Sequence, residues 1–263
     1  MEFNLLGKVL LGKHDQEREY WGNRYVKFMK EYGEVYINTP YFQNEIKAVK
    51  EFAEEDLNHG DKILDLGCGY LPASEWLIER GKIELWAADL DLELARDKWE
   101  KLGKPHMFFK QIDLRERLPF DNNCFDGIIS AKALTFVPSS QGETGAAGLK
   151  NIFREIFRIL KPGGWLVWTS TVKGVSTWKG VLKGLGFLLN PIKNYQLKCF
   201  LPLFTYKLSK AFEPVMEKAD KGIYPVFGKE KYAEIVKSAG FKDLQWQDTG
   251  GFQILVNRAV KPL

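Results

Sequence analysis

Apolar and polar positions follow two different periods along this chain, and the switch between them marks out its elements. From residue 61 onward, short apolar runs of strand length give way to stretches with helical spacing. Lys62 to Leu66, Ile83 to Ala88, Met107 to Ile112, Phe125 to Ser130 and Trp165 to Thr169 read as strands. Pro72 to Arg80 and Leu92 to Leu102 read as helices, stopped by Gly81 and Gly103. Leu149, Ile152, Phe153, Ile156, Phe157 and Leu160 share one face of a further helix. Lys161-Pro162-Gly163-Gly164 reads as the turn that ends it. Strands alternating with helices predict βαβ units, right-handed crossovers and a parallel sheet.

The two ends of the chain depart from this rhythm. Residues 15–57 read as helical, with Tyr25, Phe28, Tyr32 and Tyr36 at helix-like spacing and Gly33 as a break near Tyr32. Thr39-Pro40 reads as a connection, and Glu45 to Leu57 as an amphipathic helix. After residue 170 come apolar patches with Pro191, Pro202, Pro214 and Pro225. Residues 171–228 are therefore read as a helical cap insertion over the active edge of the sheet. The rhythm resumes with a helix from Glu230 to Ala239, capped by Gly240. Phe241 to Gln247 and Phe252 to Arg258 then form an antiparallel hairpin across Asp248-Thr249-Gly250-Gly251. The expected fold is α/β: one domain over residues 1–263 with a doubly wound, mostly parallel seven-stranded sheet and an antiparallel last strand. Residues 1–60 form its N-terminal helical segment.

Composition narrows the class. A chain of 263 residues with 45% hydrophobic and 27% charged residues supports a sizeable core and is not disordered. A net charge of +4 is too small to imply nucleic acid or membrane. Cys68, Cys124 and Cys199 are far apart and unpaired in spacing, which points away from a disulfide framework or a zinc site and toward a reducing cytoplasm. The N-terminus lacks the pattern of a signal peptide, and no apolar run approaches the roughly 20 residues that span a bilayer. Asp121-Asn122-Asn123 reads as a turn and no metal site is expected; His14, His59 and His106 are isolated in sequence.

The chemistry gathers at the first strand's loop, Asp65-Leu66-Gly67-Cys68-Gly69. Ligands of an open parallel sheet bind beyond the carboxyl ends of its strands. Gly67 and Gly69 allow a sharp turn and close backbone approach, and the helix that follows offers free N–H groups. Asp89, at the end of the second strand, can accept hydrogen bonds from ribose hydroxyls. These features suit NAD as well as S-adenosylmethionine (SAM). Two details separate them. A dinucleotide fingerprint wants a small residue at position 72, which is Pro72. Asp65 would repel a pyrophosphate but attract the ammonium group of SAM.

Ile63-Leu64-Asp65-Leu66-Gly67-Cys68-Gly69 resembles the first motif of the class I, Rossmann-like SAM-dependent methyltransferases. Ala88-Asp89-Leu90-Asp91 resembles their ribose-binding acidic motif, and Gln111-Ile112-Asp113-Leu114 their adenine-contacting motif. Leu118-Pro119-Phe120 with Phe125-Asp126-Gly127-Ile128-Ile129-Ser130, Arg158-Ile159-Leu160-Lys161-Pro162-Gly163-Gly164, and Ala239-Gly240-Phe241 resemble the family's later motifs, in the same order. The nearest group holds quinone-biosynthesis C-methyltransferases and many small-molecule methyltransferases. The resemblance implies SAM as cofactor. It implies that Asp65, Gly67, Cys68 and Gly69 shape the methionine end, and that Asp89 holds the ribose while Leu90 packs on adenine. It further implies that Asp113 accepts from the adenine amino group beside Leu114, with Ser130 and Ala131 near the methionine part and the methyl group. One departure stands out: where the family has a third glycine, this chain has Leu71, which predicts a bulkier pocket floor.

The acceptor pocket is expected from the N-terminal helices, the loop after the fourth strand and the insertion. Its candidate residues are Tyr20, Trp21, Tyr25, Lys132 and Phe136. The insertion runs rich in lysine from Lys173 to Lys221, with Glu213, Glu217 and Asp220 as its acids, and interleaves Phe187, Leu188, Leu189, Phe200, Leu201 and Phe204. That pattern suits a small or lipophilic methyl acceptor, with peripheral contact at a membrane surface, and equally an ordinary lid with solvated lysines. Nucleic acid fits poorly, because the insertion lacks arginine. Two other readings stay open: a catalytically silent SAM-binding module acting through protein association, and an NAD(P)-dependent reductase. No general base is assigned.

Overall fold

A computed structural model describes residues 27–33, 36–102, 107–137, 145–172, 206, 217, 219–249 and 254–263. Residues 27–33 are helical, Gly33 included. The ordered elements that follow are α1 (Pro40–Glu54), β1 (Lys62–Leu66), α2 (Ser74–Arg80), β2 (Glu84–Asp89), α3 (Glu93–Leu102) and β3 (Phe108–Gln111). Then come β4 (Phe125–Ser130), a 3-10 turn (Leu134–Phe136), α4 (Gly145–Ile159), β5 (Leu160–Thr171), α5 (Lys229–Ser238), β6 (Lys242–Asp248) and β7 (Ile254–Val260).

The seven strands form one sheet in the order β3-β2-β1-β4-β5-β7-β6. β1 to β5 are parallel neighbours, while β7 runs antiparallel to both β5 and β6. The order reverses at β1, which pairs with β2 on one side and β4 on the other. That is the switch point where an open α/β sheet leaves a crevice beyond its strand ends. β1 is buried along Ile63 to Leu66 because helices cover both faces of the sheet. α4 and α5 bring Leu149, Ile152, Phe153, Ile156, Tyr232, Ile235 and Val236 onto one face. α1, α2 and α3 bring Val49, Leu77 and Ala95 onto the other. Each fully buried Leu, Ile or Phe of these stripes contributes about 1.5–3 kcal/mol.

Two boundaries differ from the sequence reading by several residues. α1 starts at Pro40, not Glu45: Thr39 is extended (φ −70°, ψ 142°) and proline occupies the first helical position, where its missing N–H costs nothing. Lys161-Pro162-Gly163-Gly164 is not a turn between elements. β5 is continuous from Leu160, and Phe125 pairs with Leu160 while Gly127 pairs with Trp165, so residues 161–164 bulge out of the ladder. Their backbone bonds go to the C-terminus instead: Gly163 N–H donates to Lys261 O and Lys261 N–H to Gly164 O, both at 2.9 Å. α5 stops where Gly240 takes a φ of 107°. Most of the insertion over residues 171–228 lies outside the described residues. No described helix is long and apolar enough to cross a membrane.

Candidate functional site

The carboxyl end of β1 runs into the glycine loop, and β2 fixes that loop from the side. Gly67 and Cys68 both donate their N–H to Ala88 O, at 2.7 and 3.1 Å. Asp89 Oδ2 accepts the Gly69 N–H at 2.8 Å, and Asp89 Oδ1 accepts the Leu90 N–H at 2.7 Å and the Asp91 N–H at 3.3 Å. Burial pushes the Asp89 carboxyl upward, and the three backbone donors pull it back down. Leu71 N–H donates to Cys68 O at 2.7 Å and closes the turn.

Asp65 is 1% exposed. Its Oδ2 accepts the Ser74 hydroxyl at 2.6 Å, from the first residue of α2. Its Oδ1 is buried and meets no donor among the described residues. Burial, with a further push from Asp89, raises its carboxyl to about 7, while the Ser74 bond opposes the shift. The Cys68 thiol is also pushed up, first by burial and then by Asp65 and Asp89. A buried thiol of this kind is inert as a nucleophile.

The wall opposite the loop is the segment leaving β4. Ser130 Oγ donates to Leu66 O at 2.7 Å and joins β4 to β1. Gly67 sits at a φ of +75°, and a Cβ there would lie 2.1 Å from the Ala133 Cβ. Only glycine permits both that conformation and that contact. Lys132 N–H donates to Thr169 Oγ1 at 2.7 Å. The Lys132 ammonium lies 2.9 Å from Glu45 Oε2 and donates to the Tyr36 hydroxyl at 2.6 Å. Burial, then Glu45, pushes the Tyr36 phenol well up.

The segment that leaves β3 is tied to β2 as well. Ile112 N–H donates to Asp89 O at 2.8 Å and Gln111 Nε2 to Leu90 O at 2.9 Å. Asp113 Oδ1 accepts the Arg115 N–H at 3.0 Å, and Asp113 Oδ2 pairs with the Arg115 guanidinium at 3.1 Å. The carboxylate thus caps its own turn.

Asp65, Gly67, Cys68, Gly69, Asp89, Ser130 and Lys132 thus join one connected set of contacts, and Ala131 lies between Ser130 and Lys132 on the same wall. Leu90 and Asp113 belong to its β2–β3 side, with Leu114 following Asp113. Phe136 lies in the 3-10 turn. Tyr20, Trp21 and Tyr25 lie outside the described residues. Sequence reading missed Glu45, Tyr36 and Thr169, the partners of Lys132. A signal for Glu45 existed: it is an acid on the apolar face of α1, one turn from Phe42 and Val49. Asn122 and Asn123 serve the turn before β4: Asn122 Oδ1 accepts from Arg158 at 2.9 Å, and Asn123 N–H donates to Arg158 O at 3.0 Å. Leu71 is fully buried within the apolar cluster of the α1–α2–α3 face and lines no open surface, so it is not a bulky pocket floor.

Known proteins agree with this geometry. Residues 64–168 match the family described as a methyltransferase domain. An uncharacterized protein of Methanocaldococcus jannaschii is 30% identical over 175 residues, 65% of this chain and 61% of that one. Sterol 24-C-methyltransferase of Pneumocystis carinii is 32% identical over 112 residues, 41% of this chain and 27% of that one. The chain therefore spans less than two thirds of the length of either relative. Phosphoethanolamine N-methyltransferase 2 of Haemonchus contortus, solved in complex with S-adenosyl-L-methionine, shares the fold with a TM-score of 0.55 at 16% identity, covering 84% of this chain and 53% of that one. The matched span carries the glycine loop and the two acids within the 3-2-1-4-5-7-6 sheet, so residues 64–168 resemble a methyltransferase domain of the class I, Rossmann-like, SAM-dependent kind.

Proposed function

We propose that this chain transfers a methyl group from SAM to a small or lipophilic acceptor. The observation that carries the reading is the buried Asp65 Oδ1 beside the glycine loop, which meets no donor among the described residues. A buried acceptor without a donor costs about 1–3 kcal/mol, and the ammonium of SAM's methionine part supplies a charged donor there. The same carboxylate would face a pyrophosphate with like charge, which disfavours an NAD(P) reading. The residues present fit the cofactor. Asp65, Gly67, Cys68 and Gly69 hold its methionine end, Asp89 and Leu90 its ribose and adenine, and Asp113 and Leu114 the adenine edge. Ser130 and Ala131 flank the methyl group.

SAM brings an activated methyl group on a sulfonium. The chain's task is to align the acceptor with that methyl and to exclude water. The wall from Ser130 to Ala133 and the N-terminal layer do this on one side. Tyr20, Trp21, Tyr25, Phe136 and the apolar, lysine-rich insertion are proposed to complete the acceptor side. The sterol methyltransferase relative supports a lipophilic acceptor, and the insertion's lysines support contact with an anionic membrane surface.

The test is calorimetry with SAM, followed by mass spectrometry of methylated products from small-molecule pools and lipid extracts. SAM binding with turnover supports the reading. SAM binding with no turnover on any acceptor favours a silent binding module, and binding of NADH but not SAM overturns the proposal. Neutralising the insertion's lysines is expected to weaken binding to anionic vesicles; unchanged binding removes the membrane contact.

A further inference from the structure

Lys132 is built into the protein in a manner that its backbone alone would not choose. Its φ is +60°, a left-handed conformation that L-residues avoid and keep only where surroundings enforce it. Two sets of contacts enforce it. Its N–H is held by Thr169 Oγ1 on β5 at 2.7 Å. Its ammonium is held 2.9 Å from Glu45 Oε2, by the Tyr36 hydroxyl at 2.6 Å, and over the rings of Phe42 and Tyr36 at 4.6 and 4.9 Å from their centroids. Glu45 is 0% exposed and the Lys132 side chain 18%, so the acid is desolvated and depends on the ammonium. The rings add cation–π attraction in the same dry space.

The residue after Lys132 is Ala133, whose Cβ presses on Gly67 so closely that no side chain fits there. The ammonium is therefore anchored in the N-terminal layer, the backbone is anchored to β5, and the next residue forms the wall of the glycine loop. Glu45, Tyr36 and Phe42 are all on or just before α1, so the anchor and the loop belong to different elements joined through one side chain.

We propose that Lys132 is a positioning residue for the cofactor loop: its grip on Glu45, Tyr36 and Phe42 locks residues 131–133 against Gly67 and so sets the loop for the methionine end of SAM. This rests on the methyltransferase reading. A lysine fits the role because a compact ammonium on a long stem can reach a buried acid between two rings.

Calorimetry with SAM on the full chain, beside circular dichroism and ligand-free thermal unfolding, tests the proposal. Lys132→Met is expected to weaken SAM binding about tenfold, within the usual range of coupling between distinct sites. Lys132→Arg keeps a cation over the rings and is expected to recover most of that loss. Glu45→Gln is expected to lose about as much as Lys132→Met, and the double variant no more than the worse single, because one tie is being cut twice. Thr169→Val removes the acceptor of the Lys132 N–H without stranding a buried charge. It is expected to weaken SAM binding in the same direction, and it decides the matter should Lys132→Met fail to fold. Folded Lys132→Met or Thr169→Val protein with wild-type SAM affinity overturns the proposal and leaves the methyltransferase reading standing. A lowered melting temperature in Lys132→Met with no recovery in Lys132→Arg also overturns it, in favour of a purely structural pair. Wild-type protein that binds no SAM overturns both.

Discussion

Asp89 Oδ2 accepts the Gly69 N–H at 2.8 Å, so the acid at the end of β2 is bonded to the loop that follows β1. The carboxylate therefore has two tasks. It fixes the loop, and under the proposed function it presents its remaining lone pairs to the ribose. Asp89→Ala removes both, and a hydrogen bond to a charged group is worth about 1.5–3 kcal/mol. The expected result is a folded protein that binds SAM about 10–100-fold more weakly. Asp89→Asn keeps one acceptor oxygen and should fall between that variant and the wild type. Calorimetry checks the order of the three affinities, and equal values would remove Asp89 from the ribose.

Asp65 gives the site a pH dependence whose sign follows from burial. Its folded carboxyl is raised to about 7 from an ordinary value of 3.8. A raised acid favours the protonated form in the fold. The stability that follows is complete below about pH 4 and is lost as pH rises through 7. The ligand-free protein is thus expected to lose stability over that window, on the order of a few kcal/mol. Under the proposed function SAM reverses the preference, because its ammonium stabilises the carboxylate. SAM affinity should climb as pH rises toward 7, with a proton released on binding. Asp65→Asn should flatten both curves. Thermal unfolding and calorimetry across pH 5 to 8 read them, and parallel curves for variant and wild type would exclude Asp65 as the source.

The strand pattern and the loop acids were legible in the sequence because each depends on neighbours within one element. Apolar runs of strand length fall where β1, β2, β4 and β7 lie, and the spacing of Gly69 and Asp89 already implies adjacent strand ends. What stayed hidden depends on partners far along the chain. The bulge at 161–164 is visible only in the register against β4, where Phe125 and Gly127 pair with Leu160 and Trp165. The helical start at Pro40 carries a signal in Thr39 and the proline, but the Thr39 hydroxyl donates back to Tyr36 O and caps no helical N–H. The pairing of Lys132 with Glu45 joins two elements that no local period connects.

Gly67 is expected to be intolerant of even one added carbon. A Cβ would lie 2.1 Å from the Ala133 Cβ, and the backbone already sits at a φ of +75°. Overpacking costs roughly 1–3 kcal/mol and the left-handed conformation about 1–2 more for an L-residue. Gly67→Ala should therefore lower stability measurably in chemical denaturation and weaken SAM binding. Adding Ala133→Gly removes the clash but not the backbone strain. The double variant should recover the overpacking part alone, so full recovery would mean that the φ of Gly67 carries no cost.

Leu71 separates backbone strain from burial, because it has both. Its φ is 57°, where glycine would sit without cost, and its side chain is fully buried with Val49 and Leu77. Leu71→Ala gives up the burial and keeps the strain, a loss of roughly 2–5 kcal/mol. Leu71→Gly gives up the same burial and loosens the unfolded chain by about 0.4–1 kcal/mol, but it relieves roughly 1–2 kcal/mol of strain. The glycine variant should then be as stable as the alanine variant or slightly more so, the reverse of their order at an ordinary position. Because Leu71 faces the core, SAM affinity should hold in whichever of the two variants remains folded. Denaturant titration settles the order: a glycine variant less stable than the alanine one by about 1 kcal/mol, the ordinary ranking, would show that the strain at Leu71 is not real. A loss of SAM affinity in a folded Leu71→Gly protein would instead mean that this residue shapes the cofactor loop through its packing, so the apolar cluster behind the loop would count as part of the binding site.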